Sequence, residues 1–126
     1  MFLNTIKEII THNPKCLRDY LDKLLPMLID QSKNEEEQIR NIVAEALGRL
    51  FVVYSNEMQE VIRSAFTSTS NVERATVVKS FKYGASKDTD PTALEMASID
   101  LVNMITDKDL NVKKSAFEAL NAVAHN

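Results

Sequence analysis

Apolar residues recur along the chain three or four positions apart, which is the spacing of amphipathic helices. The clearest example is the apolar stripe that runs from Ile39 to Leu50. The pattern divides the chain into seven predicted helices, over about 1–12, 14–31, 34–54, 56–66, 71–84, 91–106 and 112–124. The chain is therefore predicted to be helical nearly throughout.

Several residues mark where these helices begin or bend. Asn34 is predicted to cap the third helix, and the three glutamates that follow it place negative charge at the positive end of that helix. Asp90 followed by Pro91 has the form of a helix start. Pro26 lacks a backbone N–H and presses on the preceding turn, so we expect a kink inside the second helix.

One helical segment recurs along the chain. Residues 39–50 (IRNIVAEALGRL) return as residues 112–123 (VKKSAFEALNAV), and a looser copy lies at 73–81. The basic residue after the opening position recurs as Arg40, Arg74 and Lys113, at steps of 34 and 39 residues. Imperfect self-similarity at such a period is the signature of stacked structural repeats.

A single helix pair is too thin to bury its own apolar face, so neighbouring pairs must stack into a continuous core. We therefore predict an all-α fold, an α-solenoid with an orphan helix over 1–12 and repeat pairs over about 14–54, 56–85 and 91–124. The orphan helix and the missing terminal cap suggest a fragment of a longer solenoid. Exposed stacking surfaces at its ends predict that the isolated piece self-associates.

The amino-acid composition limits the kinds of fold and function that the chain can have. Two glycines and three prolines in 126 residues leave little material for a loop-rich fold. The net charge is −3 and acids alternate with bases, so no basic stripe points to nucleic acid or to an anionic membrane. Apolar runs are too short to span a bilayer, and no signal peptide is evident. The single cysteine, Cys16, fits a reducing intracellular compartment, cytoplasmic or nuclear.

Catalytic and metal-binding patterns are missing from the sequence. His12 and His125 are far apart and have no neighbours at metal-ligand spacing. The chain contains no Gly-rich phosphate loop and none of the common hydrolase motifs. We therefore expect no enzyme activity, no metal and no cofactor.

The recurring basic residues, Arg40, Arg74 and Lys113, are interpreted as structural. In stacked pairs such a residue meets an acid in the turn of its own or a neighbouring repeat, and Asp107 and Asp109 precede Lys113 in this way. Partner contacts are instead predicted on the second helices, which line the concave face of a solenoid. The candidates there are Glu45, Arg49, Lys79, Lys82, Lys114 and Glu118.

The repeated segment resembles the second helix of HEAT repeats, closely at residues 39–50, well at 112–123 and poorly at 72–83. A narrower resemblance lies in residues 34–50, in 107–114 (DKDLNVKK) and in the ending 121–126 (NAVAHN). These segments are similar to the C-terminal half of the cullin-associated, neddylation-dissociated family, also called TBP-interacting HEAT proteins. The sequence departs from that family at Lys113 and Lys114, where arginines are expected.

The family resemblance implies a protein-interaction scaffold that binds cullin–RING ubiquitin ligase scaffolds lacking the ubiquitin-like modifier and promotes exchange of substrate receptors. Three alternatives remain at this point. The chain could be a HEAT segment of a nuclear transport receptor or phosphatase scaffold, an enzyme or the regulatory helical domain of an enzyme, or a nucleic-acid binder. An enzyme domain would require a buried polar cluster, and a nucleic-acid binder would require a basic concave face.

Overall fold

The computed structural model describes residues 2–125, without the side chain of Phe2. Met1, where the predicted first helix begins, and Asn126, where the family resemblance ends, lie outside the described residues. The elements are α1 (Phe2–His12), a 3-10 helix (Pro14–Tyr20), α2 (Leu21–Gln31), α3 (Glu37–Phe66), α4 (Asn71–Lys79), α5 (Phe81–Gly84), α6 (Pro91–Met104) and α7 (Leu110–Ala124). The described part of the chain contains no strand, and the predicted all-α solenoid is confirmed.

The helices stack in two layers. In one layer, α3 packs between α1 and α4, and α4 packs on its other side against α7. In the other layer, the C-terminal half of α3 lies between α2 and α6, where Val61 borders Leu25 and Ile62 borders Ala97. The core runs through both layers, and it includes the fully buried Leu28, Leu47, Leu50, Met58, Val77, Leu101 and Val112. How the chain divides into repeat pairs stays a prediction.

Helix α3 belongs to both layers because it bends at Tyr54, whose φ of −120° and ψ of 35° are not helical. The Tyr54 hydroxyl donates a hydrogen bond of 2.5 Å to the carbonyl oxygen of Pro14, and the Arg18 guanidinium lies 5.4 Å from the ring centroid. The bend falls where the sequence predicts the end of one helix and the start of the next. A single tyrosine thus ties this bend to the first residues of the 3-10 helix.

The structure bears on two expectations near the start of the chain and corrects the second. Helix α2 continues through Pro26, and the predicted kink at that residue stays a prediction. The winding changes at Tyr20, six residues earlier, where the 3-10 helix gives way to α2. Asn34 does not cap α3. Its side-chain oxygen accepts the backbone N–H of Glu36 at 2.8 Å and forms a turn, and Glu36 is the cap residue.

The predicted helix over 71–84 is interrupted at Ser80. The Ser80 hydroxyl donates to the carbonyl oxygen of Val77 at 2.5 Å, a back-bond that competes with regular helix geometry. Helix α4 therefore ends at Lys79, and the short α5 begins at Phe81. The segment remains firmly packed, since Val77, Val78 and Phe81 are buried.

Gly48 sets the distance between α3 and the Ser80–Gly84 segment. A β-carbon at position 48 would collide with the carbonyl oxygen of Ser80 and would lie 2.6 Å from Cβ of Tyr83. Real β-carbon contacts do not become that short, so the backbones approach closely only because residue 48 has no side chain. Gly84, directly opposite, is less restricted, because a β-carbon there would lie 3.3 Å from the carbonyl oxygen of Gly48.

We predict that Gly48→Ala destabilises the chain, although alanine is the better helix former by about 1 kcal/mol. The methyl group must push backbone atoms apart, and overpacking of this kind costs about 1–3 kcal/mol. Gly84→Ala is the matched control and should cost less, since its nearest contacts are longer. Urea unfolding monitored by circular dichroism measures both changes. Equal stability of Gly48→Ala and the unchanged chain would contradict the close approach.

Candidate functional site

The six predicted partner contacts lie on the layer formed by α3, α4, α5 and α7. Glu45 and Arg49 follow Asn41 at four-residue intervals on α3, so the three side chains share one side of that helix. Lys79 ends α4, and its ammonium donates to the Asn41 side chain at 2.7 Å. Lys114 and Glu118 are also four residues apart, on α7. The structure therefore brings the six side chains to one face, and their role as contacts stays a prediction.

Most of these side chains are already paired with one another across the face. Arg49 Nε donates to a Glu45 carboxylate oxygen at 2.8 Å, and Lys7 of α1 lies 3.8 Å from the same carboxylate. The Lys82 ammonium lies 3.9 Å from Glu118. These pairs are partly exposed, so each contributes little to stability. They keep the face polar and close to electrically neutral.

A groove of about 460 Å³ crosses this face. We call it the α4 groove, because α4 forms its floor while α3 and α7 form its walls. The lining residues are Glu37, Arg40, Asn41, Asn71, Val72, Ala75, Thr76, Lys79, Asp109, Asn111, Lys114, Ser115 and Glu118. Three of the six candidate contacts, Lys79, Lys114 and Glu118, are among them, whereas Glu45, Arg49 and Lys82 lie outside the groove.

The groove lies over α4 at a position where this helix carries a smaller residue than its neighbours. The residue after the recurring basic position is Asn41 on α3, Ala75 on α4 and Lys114 on α7. The alanine side chain is too short to fill the space between the two flanking helices. Alignment of the three copies could have indicated this depression, but the sequence alone does not show that α4 lies between α3 and α7.

The recurring basic residues are held by three different arrangements. Arg74 meets the prediction fully: its Nε and Nη2 donate to the two carboxylate oxygens of Asp107 at 2.9 and 3.1 Å. Its Nη1 also donates to the carbonyl oxygen of Ser68 at 2.7 Å. Arg74 therefore joins the turn before α4 to the turn before α7. This pair is largely buried, with 17% and 12% of the two side chains exposed.

Arg40 was expected to meet an acid, and that expectation is wrong. Its Nη1 donates to the backbone carbonyl oxygens of Asn34 and Glu35, at 2.7 and 3.0 Å. The acid is missing because Ser68 stands six residues before Arg74, where Asp107 stands six residues before Lys113. Lys113 contributes only its charge near Asp107.

Burial raises the pKa of Asp107, but hydrogen bonds and neighbouring charges lower it by more. The lowering comes from the Arg74 hydrogen bonds, from the backbone N–H of Asp109 at 2.9 Å, and from the charges of Arg74 and Lys113. The pKa of Asp107 therefore lies below its ordinary value of 3.8. Asp109 has a different task, since it caps α7 by accepting the Val112 N–H at 3.1 Å and also accepts a hydrogen bond from Asn71 at 2.9 Å.

Within residues 2–125, no group of three or more His, Cys, Asp and Glu side chains is arranged to hold a metal ion. Cys16 is an exposed free thiol on the 3-10 helix. Among the described helices, none combines the length and the apolar character needed to cross a membrane. The α4 groove, which has charged side chains on both walls, is the candidate binding site.

Two layers of stacked helices with a polar groove across one layer define a helical-repeat scaffold. The chain is 34% identical over its whole length to cullin-associated NEDD8-dissociated protein 1 of Dictyostelium discoideum, and 30% identical over 99% of its length to the protein of that name from Arabidopsis thaliana. It is also 29% identical over its whole length to the C-terminal part of that protein in Emericella nidulans. The chain spans only 11%, 11% and 12% of these relatives.

No protein-family model matches the chain, and no solved structure matches it. The similarity to the curated relatives nevertheless extends from end to end and agrees with the helical-repeat fold. The chain belongs to the HEAT-repeat family of the cullin-associated NEDD8-dissociated proteins.

We predict that Asp107→Asn destabilises the chain by about 1–3 kcal/mol at pH 7, because it replaces a charge-assisted, largely buried pair. A carboxylate with a lowered folded pKa stabilises the fold above its unfolded pKa, here 3.8, and this contribution disappears as the pH falls through the folded value. The difference between the two chains should therefore shrink below pH 4, as measured by urea unfolding at a series of pH values.

Asp100→Asn is the matched control for this prediction. Asp100 accepts a hydrogen bond of 3.2 Å from Arg63, which is 60% exposed, so removing this carboxylate should cost less than about 1 kcal/mol. A loss for Asp100→Asn as large as that for Asp107→Asn would contradict the distinction between the two pairs.

Proposed function

We propose that this chain is a protein-binding segment that associates with a cullin through the face formed by α3, α4 and α7. The observation that supports this most directly is the similarity, along the whole chain, to proteins whose names state that they associate with cullins. The chain covers about a tenth of those proteins, so the proposal concerns a contribution to a larger contact surface. We propose no catalytic role for it.

The chemistry of the α4 groove supports a protein partner. Its lining includes three acids, Glu37, Asp109 and Glu118, and three bases, Arg40, Lys79 and Lys114. A groove with balanced charges suits the mixed polar surface of a protein, whereas nucleic acid would require an excess of basic side chains. Serine, threonine and asparagine side chains between the charges supply both donors and acceptors of hydrogen bonds.

The resemblance to the family supports a more specific form of this proposal. The proposed partner is a cullin–RING scaffold without its ubiquitin-like modifier, and the parent protein promotes exchange of substrate receptors on that scaffold. This activity takes place in the cytoplasm, the nucleus or both. The present chain supplies part of the binding surface for it.

We predict saturable binding of the chain to an unmodified cullin–RING complex, measured by isothermal titration calorimetry at two salt concentrations. Lys79→Glu should weaken the affinity about tenfold, because it replaces a cation of the groove by an acid and loses about one charge pair. Lys87→Glu makes the same change at an exposed position of the α5–α6 loop and should leave the affinity unchanged. A wild-type chain that does not bind would contradict the proposed cullin contact.

Apolar side chains are exposed at both ends of the stack. At one end Leu110 and Phe117 of α7 are 68% and 58% exposed, beside the equally exposed Ile99 of α6. At the other end, α1, the 3-10 helix and α2 border an apolar cleft of about 270 Å³, next to Tyr20. Apolar surfaces of this kind drive association in water. We therefore propose that isolated copies of the chain self-associate through these ends.

We predict that the average mass of the isolated chain, measured by multi-angle light scattering after size exclusion, rises with concentration. Phe117→Asp should reduce this rise, because it places a charge in the apolar surface of α7. Thr69→Asp adds the same charge at an exposed loop position away from both ends and should not change the association. A strict monomer at high concentration would contradict the prediction.

A further inference from the structure

Part of the floor of the α4 groove is apolar, although Asn71, Thr76 and Lys79 of the same helix also line it. Val72 and Ala75 lie one turn apart on α4 and both line the groove. Val72 is 38% exposed, so it presents apolar surface to the space above the floor. An apolar patch between polar walls is the arrangement in which a side chain of a binding partner gains most from burial.

The charged residues that line the groove differ in whether they already have partners within the chain. Four of them are engaged within the chain: Arg40 by backbone carbonyls, Lys79 by Asn41, Asp109 by the start of α7, and Glu118 by Lys82 at 3.9 Å. The remaining two are Glu37 and Lys114. Within residues 2–125, neither of these side chains makes a hydrogen bond or an ion pair. Both are exposed to solvent and available to a partner.

The order of the helices places these two charges on opposite sides of the floor. Because α4 packs between α3 and α7, Glu37 stands on one wall and Lys114 on the other. Packed helix axes lie about 8–10 Å apart, so the axes of α3 and α7, on either side of α4, are separated by roughly 16–20 Å. An extended chain of about six residues spans that distance. Across the groove, an acidic side chain, an apolar patch on the floor and a basic side chain therefore follow one another.

We infer that the α4 groove binds an extended segment of a partner protein in which a cation, an apolar side chain and a carboxylate follow one another within about six residues. The cation pairs with Glu37, the apolar side chain rests on Val72 and Ala75, and the carboxylate pairs with Lys114. The inference rests on the proposed protein-binding function and specifies which element of the partner this face recognises.

Synthetic peptides with the core Arg-Ser-Leu-Ser-Glu, between Gly-Ser flanks, are the probe. Two matched peptides replace one charge, giving Glu-Ser-Leu-Ser-Glu and Arg-Ser-Leu-Ser-Arg, and a third replaces leucine by alanine. Each is titrated into the full chain labelled with nitrogen-15, and backbone amide shifts give the site and the affinity. Shifts at Val72 and Ala75 are expected, with each wrong charge weakening binding about two- to fivefold.

Reversing the charge at position 37 or 114 of the protein tests whether these two side chains recognise the charges of the peptide. Glu37→Lys should prefer the peptide with two glutamates, and Lys114→Glu should prefer the peptide with two arginines. Both substitutions are at exposed positions, and circular dichroism checks that the fold is retained. Ala75→Leu fills the floor and should remove the difference between leucine and alanine peptides. The inference is overturned if no peptide shifts the Val72 and Ala75 amides, or if the preferences do not follow the exchanged charges.

Titration of the same variants with the unmodified cullin–RING complex separates this inference from the proposed function. Equal cullin affinity for wild type, Glu37→Lys and Lys114→Glu would overturn the inference and leave the cullin contact in place. Absence of cullin binding, together with the expected peptide preferences, would contradict the proposed partner and support the chemistry inferred for the groove.

Discussion

The position of α4 between α3 and α7 is the constraint on which the rest of the structure depends. This helix has only nine residues, too few to be stable alone, so its neighbours must hold it. On one side the Thr76 hydroxyl lies 2.7 Å from the carbonyl oxygen of Ser32, at the end of α2. On the other side Arg74 binds both carboxylate oxygens of Asp107. Because α4 is held on both sides, it determines how the helices before and after it are positioned relative to each other.

The same placement produces the α4 groove. The close approach at Gly48 draws the Ser80–Gly84 segment against α3, and Ala75 leaves space further along α4. Where side chains of neighbouring helices do meet, they pair in polar contacts such as that between Lys79 and Asn41. The close packing at Gly48 and the short side chain of Ala75 therefore explain why this layer is closely packed at one point and indented at another.

Family membership and geometry contribute different parts of the functional argument. The relatives identify the kind of protein, because the similarity extends over the whole chain even though the chain is a small part of each relative. The geometry identifies where a partner could bind, through the unpaired charges of Glu37 and Lys114 on either side of Val72 and Ala75. In a scaffold of this type, each repeat supplies a short stretch of a long binding surface. The position of a repeat in the stack therefore decides which part of a partner it contacts.

The sequence by itself determined the helices, the repeat and the family, because helical spacing of apolar residues and copies such as 39–50 and 112–123 are local patterns. It also placed Glu45 beside Arg49, and Lys114 beside Glu118, since residues four apart share a side of a helix. Tertiary structure alone decided the rest. The pairing of Arg74 with Asp107, the hydrogen bond from Lys79 to Asn41, and the groove over Ala75 all depend on which helices become neighbours. Those contacts join residues more than thirty positions apart or lie between separate helices, and no local pattern encodes them.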